Sequence, residues 1–151
     1  MDSIAVVPRS GFSSHVLTLQ TAHARQFIDI TDQVAECITR SRLSHGLAIV
    51  ASRHTTAAIV INEHEPELLK DLDRLLAEMA PPEREYAHNG VPCGKGEQPN
   101  GHAHCQALLL SASASVPFSH GDPILGRYQR IFLVELDCAR RREITIALLG
   151  T

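Results

Sequence analysis

The sequence predicts a single α+β domain, and three observations lead to that prediction. Segments with strand-like alternation or β-branched content recur along the chain, at 15–20, 26–30, 46–52, 56–62, 113–118, 127–136 and 143–150. Two or three other segments have helical spacing instead. A length of 151 residues suits one domain that buries a sizeable core. We expect successive strands to pair locally, with the helices packed against them.

The first part of the chain is predicted to form two half-buried strands, 15–20 and 26–30, joined by a short turn. Thr31 offers an N-cap for the helix that follows, and Asp32 in its first turn complements the helix dipole. That helix should end by Gly46, where a strand rich in small and β-branched residues begins.

The clearest helix begins at Pro66, whose fixed φ and missing N–H suit a first helical position. Its apolar residues recur at steps of three and four and form one stripe: Leu68, Leu69, Leu72, Leu75, Leu76 and Met79. The pair Pro81–Pro82 ends it. The polar, Gly/Pro-rich segment 81–101 predicts a loop that is functional or disordered, and 102–110 is either helical or extended.

Composition excludes several classes of function. A net charge of −3 without a basic stripe gives no reason to propose binding to nucleic acid or a membrane surface. The N-terminus does not read as a signal peptide, and no apolar stretch reaches the roughly 20 residues of a membrane span. The four cysteines lack CxxC spacing, which indicates free thiols in a reducing cytoplasm.

Nine histidines are unusual for this length, and several lie in polar islands that interrupt strands or open loops. The islands read "RHTT" (53–56) with "INEHE" (61–65), "YAHNG" (86–90) and "NGHAH" (100–104). Convergent imidazoles are a common route to a zinc site, and catalytic zinc typically has three protein ligands and one open position. The alternative for each histidine is a surface position or a hydrogen-bonded structural role.

These islands belong to a longer pattern: "HTTAAIVINEHEPELLKDL", "YAHN", "NGHAHCQALLL" and "SVPFSHGDPILGRYQRIFLVELDCARRR" follow in this order. From about Phe27 to the C-terminus, the pattern resembles the YjbQ-like family, whose members are often labelled secondary thiamine-phosphate synthases. The resemblance implies sandwich-like antiparallel β-sheets and assembly as a homotrimer. It also implies condensation of an aminopyrimidine diphosphate with a thiazole phosphate, releasing pyrophosphate, so the ligand is a small phosphorylated molecule.

The recurring residues of that family fall here on His54, Asn62, Glu63, Asp71, His88, Asn100, His104, Gly121, Gly126, Gln129 and Glu135. The sequence departs from the family pattern in "GRYQ" (126–129), in "DCAR" (137–140) and at Ser111. The first departure, which places Arg127 and Tyr128 where the family has Thr and Trp, affects substrate identity more than the fold.

We therefore predict that His54, His88 and His104 are catalytic and hold a divalent metal, zinc or magnesium. Glu63 is either a general base or a carboxylate that orients an imidazole, and the alternative is a solvated acid before a helix. The predicted substrate contacts are Asn62, Asn100, Gln129, Arg53 and Arg127.

Three further features of the sequence concern this site: the second histidine of "NGHAH", the long loop and the arginine run. His102 and His104 face apart if they lie on a helix, so the family pattern selects His104 and leaves His102 as a cap or rim residue. In the long loop, Lys95 can approach an anionic substrate and Cys93 can ligate a metal. The run "RRR" at 140–142 is expected to be a solvated turn.

The strand "RIFLVEL" (130–136) is apolar on both faces, so both faces must be covered. A second sheet of the same chain can do this, and closed symmetry, threefold by the resemblance, is the other solution. Two further functions remain open. One is a non-catalytic trimer that binds a metal or ligand; the other is a metal-assisted hydrolase in which Glu63 activates water.

Overall fold

The computed structural model describes residues 11–91 and 98–151, so Cys93 and Lys95 lie outside the described residues. The elements follow in the order β1 (Gly11–Gln20), β2 (Gln26–Asp29), α1 (Thr31–Ser41), β3 (His45–Ser52), β4 (Ala57–Glu63), α2 (Pro66–Met79), a 3-10 helix (Ala87–Gly90), α3 (Gly101–Leu109), β5 (Ser113–Ser119), β6 (Asp122–Pro123), β7 (Gln129–Glu135) and β8 (Arg141–Gly150). This confirms the predicted α+β class with antiparallel sheets and resolves 102–110 as a helix. Within the described ranges, no helix has both the length and the apolar character needed to span a membrane.

The strands form two sheets, one of five strands in the order β1-β8-β3-β5-β6 and one of three in the order β2-β7-β4. The larger hydrophobic core joins the two sheets and α1, as Val50, Ile146, Ile59 and Ile38 illustrate. A second core joins the other face of the three-stranded sheet to α2 and α3, which contribute Leu76 and Ala103. The three-stranded sheet is therefore the middle layer of the domain.

The first two strands do not pair with each other, so the prediction of local pairing is wrong here. β1 pairs with β8, and β2 pairs with β7 in the other sheet. The connection between them turns away because Thr21 is tied to the turn between β7 and β8. Its N–H donates to the carbonyl of Arg140 (2.9 Å), and its buried hydroxyl donates to Glu135 (2.9 Å).

The predicted cap of α1 is also wrong, since Ile30 occupies the N-cap and Thr31 is the first helical residue. The Thr31 hydroxyl donates to Asp29 (2.7 Å) and accepts from the N–H of Ile131 (2.8 Å), so it ties the helix to β7. The start of α2 is as predicted, with Pro66 at its first position and the Glu65 carboxylate accepting from two backbone N–H groups.

Strand β7 is covered on both faces within one chain. Ile131 and Leu133 lie in the core between the sheets, while Phe132 and Val134 lie in the core beneath α2 and α3. All four residues have 0% exposure. The expectation that both faces of this strand are covered is confirmed. The second sheet covers one face and the helices cover the other, without a second copy of the chain.

Candidate functional site

The predicted site residues lie near both ends of β4. His54 precedes the strand, whereas Asn62 and Glu63 are its last two residues. Because a strand rises about 3.3 Å per residue, the two ends of β4 lie about 20 Å apart. A cleft lies at each end of this strand.

The first, here called the imidazole cleft, has a volume of about 340 Å³. Its lining residues come from the segment before β4, from α3 and from the start of the β5 segment: His54, Thr55, Ala57, His104, Ala107, Leu108, Ser111 and Ala112. His54 and His104 are thus brought together from positions 50 residues apart in the sequence, because α3 packs beside β4. This part of the predicted convergence is present in a single chain.

His88 reaches the imidazole cleft through His104. The two rings meet edge to face, with centroids 4.7 Å apart and an angle of 75° between their planes. The 3-10 helix that carries His88 is tied to α3, since the Asn89 side chain accepts a hydrogen bond from the N–H of Gly101 (2.9 Å). Among residues 11–91 and 98–151, no three His, Cys, Asp or Glu side chains form a group that could hold a metal ion.

The ring of His54 is held by the backbone of β8. Its Nε2 accepts a hydrogen bond from the N–H of Glu143 (2.8 Å). Burial lowers the pKa of His54 below its ordinary value, and the positive charge of Arg142 lowers it further, against the opposing effects of Glu143 and Glu135. His54 is therefore neutral at pH 7.

A buried ion pair lies near His54 in the folded chain. Arg142 and Glu135 are 3% and 0% exposed, and the Nε of Arg142 donates to the Glu135 carboxylate (2.6 Å). Arg142 also donates to the hydroxyl of Thr56 (2.9 Å), two residues beyond His54. The prediction that 140–142 is a solvated turn is wrong for Arg142, because β8 begins at Arg141 and turns the next side chain inward.

The two histidines of "NGHAH" face apart, as helical geometry predicts. His104 is half-buried, and burial and the neighbouring His88 lower its pKa. His102 is 9% exposed and packs near Tyr86, with ring centroids 6.5 Å apart. Its predicted role as a cap or rim residue is wrong, because Asn100 occupies the N-cap of α3 and His102 points into the interior.

Two predicted substrate contacts near the imidazole cleft already have partners. The Asn100 amide donates to the carboxylate of Asp137 (3.1 Å). Arg53 is exposed, and its guanidinium pairs with Glu143 (2.9 Å). Both side chains therefore help to fix the surroundings of the histidines, and either must exchange its partner to bind a phosphate group.

The second cleft, here called the amide cleft, is also about 340 Å³ and is lined by Ile61, Asn62, Glu63, Gly126, Arg127, Tyr128 and Gln129. The Gln129 side chain accepts from the N–H of Gly126 (2.7 Å), and that of Asn62 accepts from the N–H of Glu63 (2.8 Å). Glu63 thus lies beside three of the predicted substrate contacts. It is too far along β4 to act on the imidazole cleft of its own chain.

These arrangements match a known family. Residues 15–151 match the profile described as UPF0047 protein YjbQ-like. The chain belongs to this family. The match begins before Phe27, so it covers more of the chain than the motifs indicated.

Relatives of the YjbQ-like family support this membership in sequence and in structure. A UPF0047 protein of Archaeoglobus fulgidus is 40% identical over 133 residues, covering 88% of this chain and 98% of that protein. A UPF0047 protein of Methanothermobacter thermautotrophicus is 37% identical over 134 residues, covering 89% and 90%. The crystal structure of a YbjQ-like protein of unknown function from Sulfolobus solfataricus P2 has a TM-score of 0.88 at 35% identity, covering 95% of this chain and 100% of that one.

Where this chain departs from the YjbQ-like pattern, two exposed residues contact each other. The guanidinium of Arg127 lies 5.2 Å from the ring centroid of Tyr128, and both residues line the amide cleft. A cation over an aromatic face is a weak contact at an exposed site. Arg127 is therefore positioned on the cleft wall.

A further polar cluster, around Asp29, could not be predicted from the sequence of this YjbQ-like chain. The Asp29 carboxylate binds the guanidinium of Arg130 (2.7 Å) and the Nδ1 of His64 (3.0 Å). Burial raises the pKa of Asp29, but hydrogen bonds from Arg130, Thr31 and His64 outweigh it and hold that pKa at about 2. Asp29 is 35 positions from His64 and 101 positions from Arg130 in the sequence, so no local pattern reveals the cluster.

Proposed function

We propose that this chain is a cytoplasmic enzyme that acts on phosphorylated small molecules at the imidazole cleft. The specific reaction that we propose is the one that the family resemblance implies, in which an aminopyrimidine diphosphate condenses with a thiazole phosphate. The observation that supports the proposal is the cleft itself, where two imidazoles with lowered pKa values meet in a pocket large enough for a small ligand. The described cysteines, Cys37, Cys105 and Cys138, are free thiols, which suits a reducing compartment.

The reaction makes one bond and breaks one. The thiazole nitrogen forms a C–N bond to the methylene carbon of the pyrimidine, and the C–O bond to the diphosphate breaks. Pyrophosphate leaves with the electron pair, so the site must stabilise negative charge that develops on an oxygen. Neutral imidazoles suit this step because they can donate a hydrogen bond to that oxygen at pH 7.

A divalent metal is part of this proposal, with His88 and His104 as its protein ligands. Imidazole nitrogens favour zinc, whereas magnesium prefers oxygen ligands and is commonly shared with substrate phosphates. The edge-to-face contact of these two rings places side by side the imidazoles that would hold the ion. When bound, the metal supplies positive charge to the departing diphosphate.

The proposal is tested by incubating purified protein with both substrates and measuring pyrophosphate release, with and without added zinc or magnesium. Metal analysis of the same sample shows whether an ion is retained. If the wild-type protein releases no pyrophosphate under any of these conditions, the synthase proposal fails. Pyrophosphate binding without turnover then assigns a binding function.

A hydrolase that combines Glu63 with these imidazoles requires more than one chain. Glu63 lies in the amide cleft, about 20 Å along β4 from His54. In such an enzyme, Glu63 must come from another copy. The same assay tests this function if release of inorganic phosphate from each substrate alone is also followed.

We also propose that the protein assembles as a homotrimer through the outer face of the five-stranded sheet. Four exposed apolar side chains lie on this face, Phe12 (68%), Val16 (56%), Leu149 (47%) and Leu47 (38%). The central patch of this face takes three outward positions on each of four paired strands and contains no charged residue: Phe12, Ser14, Val16, Leu47, Ile49, Ala51, Ser113, Ser115, Pro117, Thr145, Ala147 and Leu149. The face continues beyond the patch through Arg141 and Glu143, which are charged. An uncharged patch with exposed apolar residues is typical of an association site.

Light scattering at micromolar concentration tests the assembly and is expected to give three times the mass of the chain. Val16→Glu should reduce that mass, because it places a charge within the uncharged patch. Leu75→Glu is the matched control, since Leu75 is similarly exposed on α2. A monomeric wild-type protein contradicts the proposal.

A further inference from the structure

The hydrogen bond between His54 and Glu143 determines where the imidazole proton sits. A neutral imidazole has one donor nitrogen and one acceptor nitrogen. The backbone N–H of Glu143 can only donate, and it donates to Nε2 of His54 at 2.8 Å. Nε2 therefore carries the lone pair, and the proton of the ring is on Nδ1.

We propose that His54 acts as a neutral hydrogen-bond donor, through Nδ1–H, to a phosphate-type oxygen bound in the imidazole cleft. This inference rests on the proposed function for the class of ligand, and on the geometry of His54 for the role. It also removes His54 from the predicted set of metal ligands and bases. The lone pair that either role requires is already engaged by Glu143.

The surroundings of His54 keep the ring in this state. The residue lines the cleft, and in the described part of the chain no side chain or carbonyl accepts a hydrogen bond from Nδ1. Four charged groups act on the ring: Arg142 and Arg53 oppose its protonation, while Glu143 and Glu135 favour it. Burial has the largest effect and lowers the pKa of His54, so the donor persists at neutral pH.

Strand β8 positions the donor. Arg142 is anchored to Glu135 and to Thr56, so the strand that carries the Glu143 N–H is fixed to the segment that follows His54. A preorganised neutral imidazole of this kind stabilises charge developing on an oxygen without having to lose a proton first.

A matched pair of substitutions separates the donor role from a structural role. His54→Asn places an amide N–H close to the position of Nδ1 and loses the acceptor for Glu143. His54→Gln places an amide oxygen close to the position of Nε2 and keeps that acceptor but not the donor. The probe is inorganic pyrophosphate, titrated into the full-length protein and followed by calorimetry.

If His54 donates to the ligand, His54→Asn should keep pyrophosphate binding within about threefold, and His54→Gln should weaken it by about tenfold to a hundredfold. The opposite order, with Gln binding normally and Asn failing to bind, overturns the inference and assigns a structural role. Equal binding by both variants, or no binding by the wild type, overturns it as well.

The tautomer is measured independently of any ligand or reaction, by ¹⁵N NMR of the His54 imidazole at pH 7. A protonated Nδ1 with an unprotonated Nε2 is the expected result. A proton on Nε2 overturns the inference, whether or not the protein has synthase activity. Conversely, the synthase assay can fail while the protein has this tautomer and binds pyrophosphate. That result rejects only the proposed reaction.

Discussion

Two pairs of imidazole rings in the described part of the chain have nearly the same mutual arrangement. His88 and His104 lie 4.7 Å apart at 75°, and His45 and His120 lie 4.9 Å apart at 76°. Their surroundings differ. His45 and His120 are both exposed, and the Nδ1 of each forms a hydrogen bond with the hydroxyl of Ser119 (2.9 and 3.0 Å).

The difference shows that ring proximity alone does not make a candidate site. The exposed pair joins His45, the first residue of β3, to His120 in the β5–β6 turn, where His120 has a φ of 54°. The pair at His104 lies beside a cleft that also contains His54, and burial lowers the pKa of His104. A cleft, partial burial and a third imidazole, His54, which is held by the N–H of Glu143, distinguish this pair.

The largest expected effect concerns the buried ion pair near His54. Arg142→Met leaves Glu135 buried with its charge uncompensated, so we expect the free energy of unfolding to fall by about 3–5 kcal/mol. Urea denaturation measures this loss. The control is Arg141→Met, an exposed neighbour that should change stability by less than about 0.5 kcal/mol. Equal losses in the two variants would mean that the buried pair has no special role.

The next effect is on activity and compares one ring of each pair. His104→Ala is expected to lower the rate of pyrophosphate release by about 10²–10⁴-fold, because it removes an acid–base group or metal ligand from the cleft. His120→Ala should leave the rate unchanged, since its ring contacts His45 and Ser119 on the exposed turn. A similar loss in both variants would place the chemistry outside the imidazole cleft.

A smaller effect is expected on the pH dependence of stability. His54, His102 and His104 have lowered pKa values in the folded chain, mainly through burial. The unfolded chain therefore binds more protons below about pH 6.5, and stability should fall as the pH decreases through that range. Urea unfolding at a series of pH values measures the slope.

Removing one of these three rings tests the origin of the slope. His104→Gln should reduce it, since one of the three lowered pKa values is removed. An unchanged slope in His104→Gln would contradict the assignment.

The smallest expected effect is at His64, an imidazole whose partner is a carboxylate. Its side chain is 50% exposed, so His64→Gln should lower the free energy of unfolding by less than about 1 kcal/mol. The guanidinium of Arg130 still binds Asp29 in this variant. A loss as large as that of Arg142→Met would show that His64 supports the fold more than its exposure indicates.

Local signals in the sequence predicted the elements well, and long-range contacts limited the rest. Pro66 and its apolar stripe define α2 because both act within a few residues. The partners of β1 and β2 could not be predicted, since Thr21 reaches Glu135 across 114 positions. For the site, the resemblance named His54 and His104, and both residues line one cleft. The tautomer of His54 depends on Glu143, 89 positions away, and no spacing rule contains that contact.

Strand β4 acts as a spacer of fixed length between the two clefts, which has a consequence for protein engineering. Because side chains alternate along a strand, deleting one residue within Ala57–Ile61 would turn the rest of the strand to the wrong face and misalign it with β7. Thr55 at one end and Arg127 and Tyr128 at the other lie outside this strand and line the two clefts. Libraries that vary Thr55 and 127–128 separately should therefore yield variants that can be recombined, as long as His54 and strand β4 are left intact.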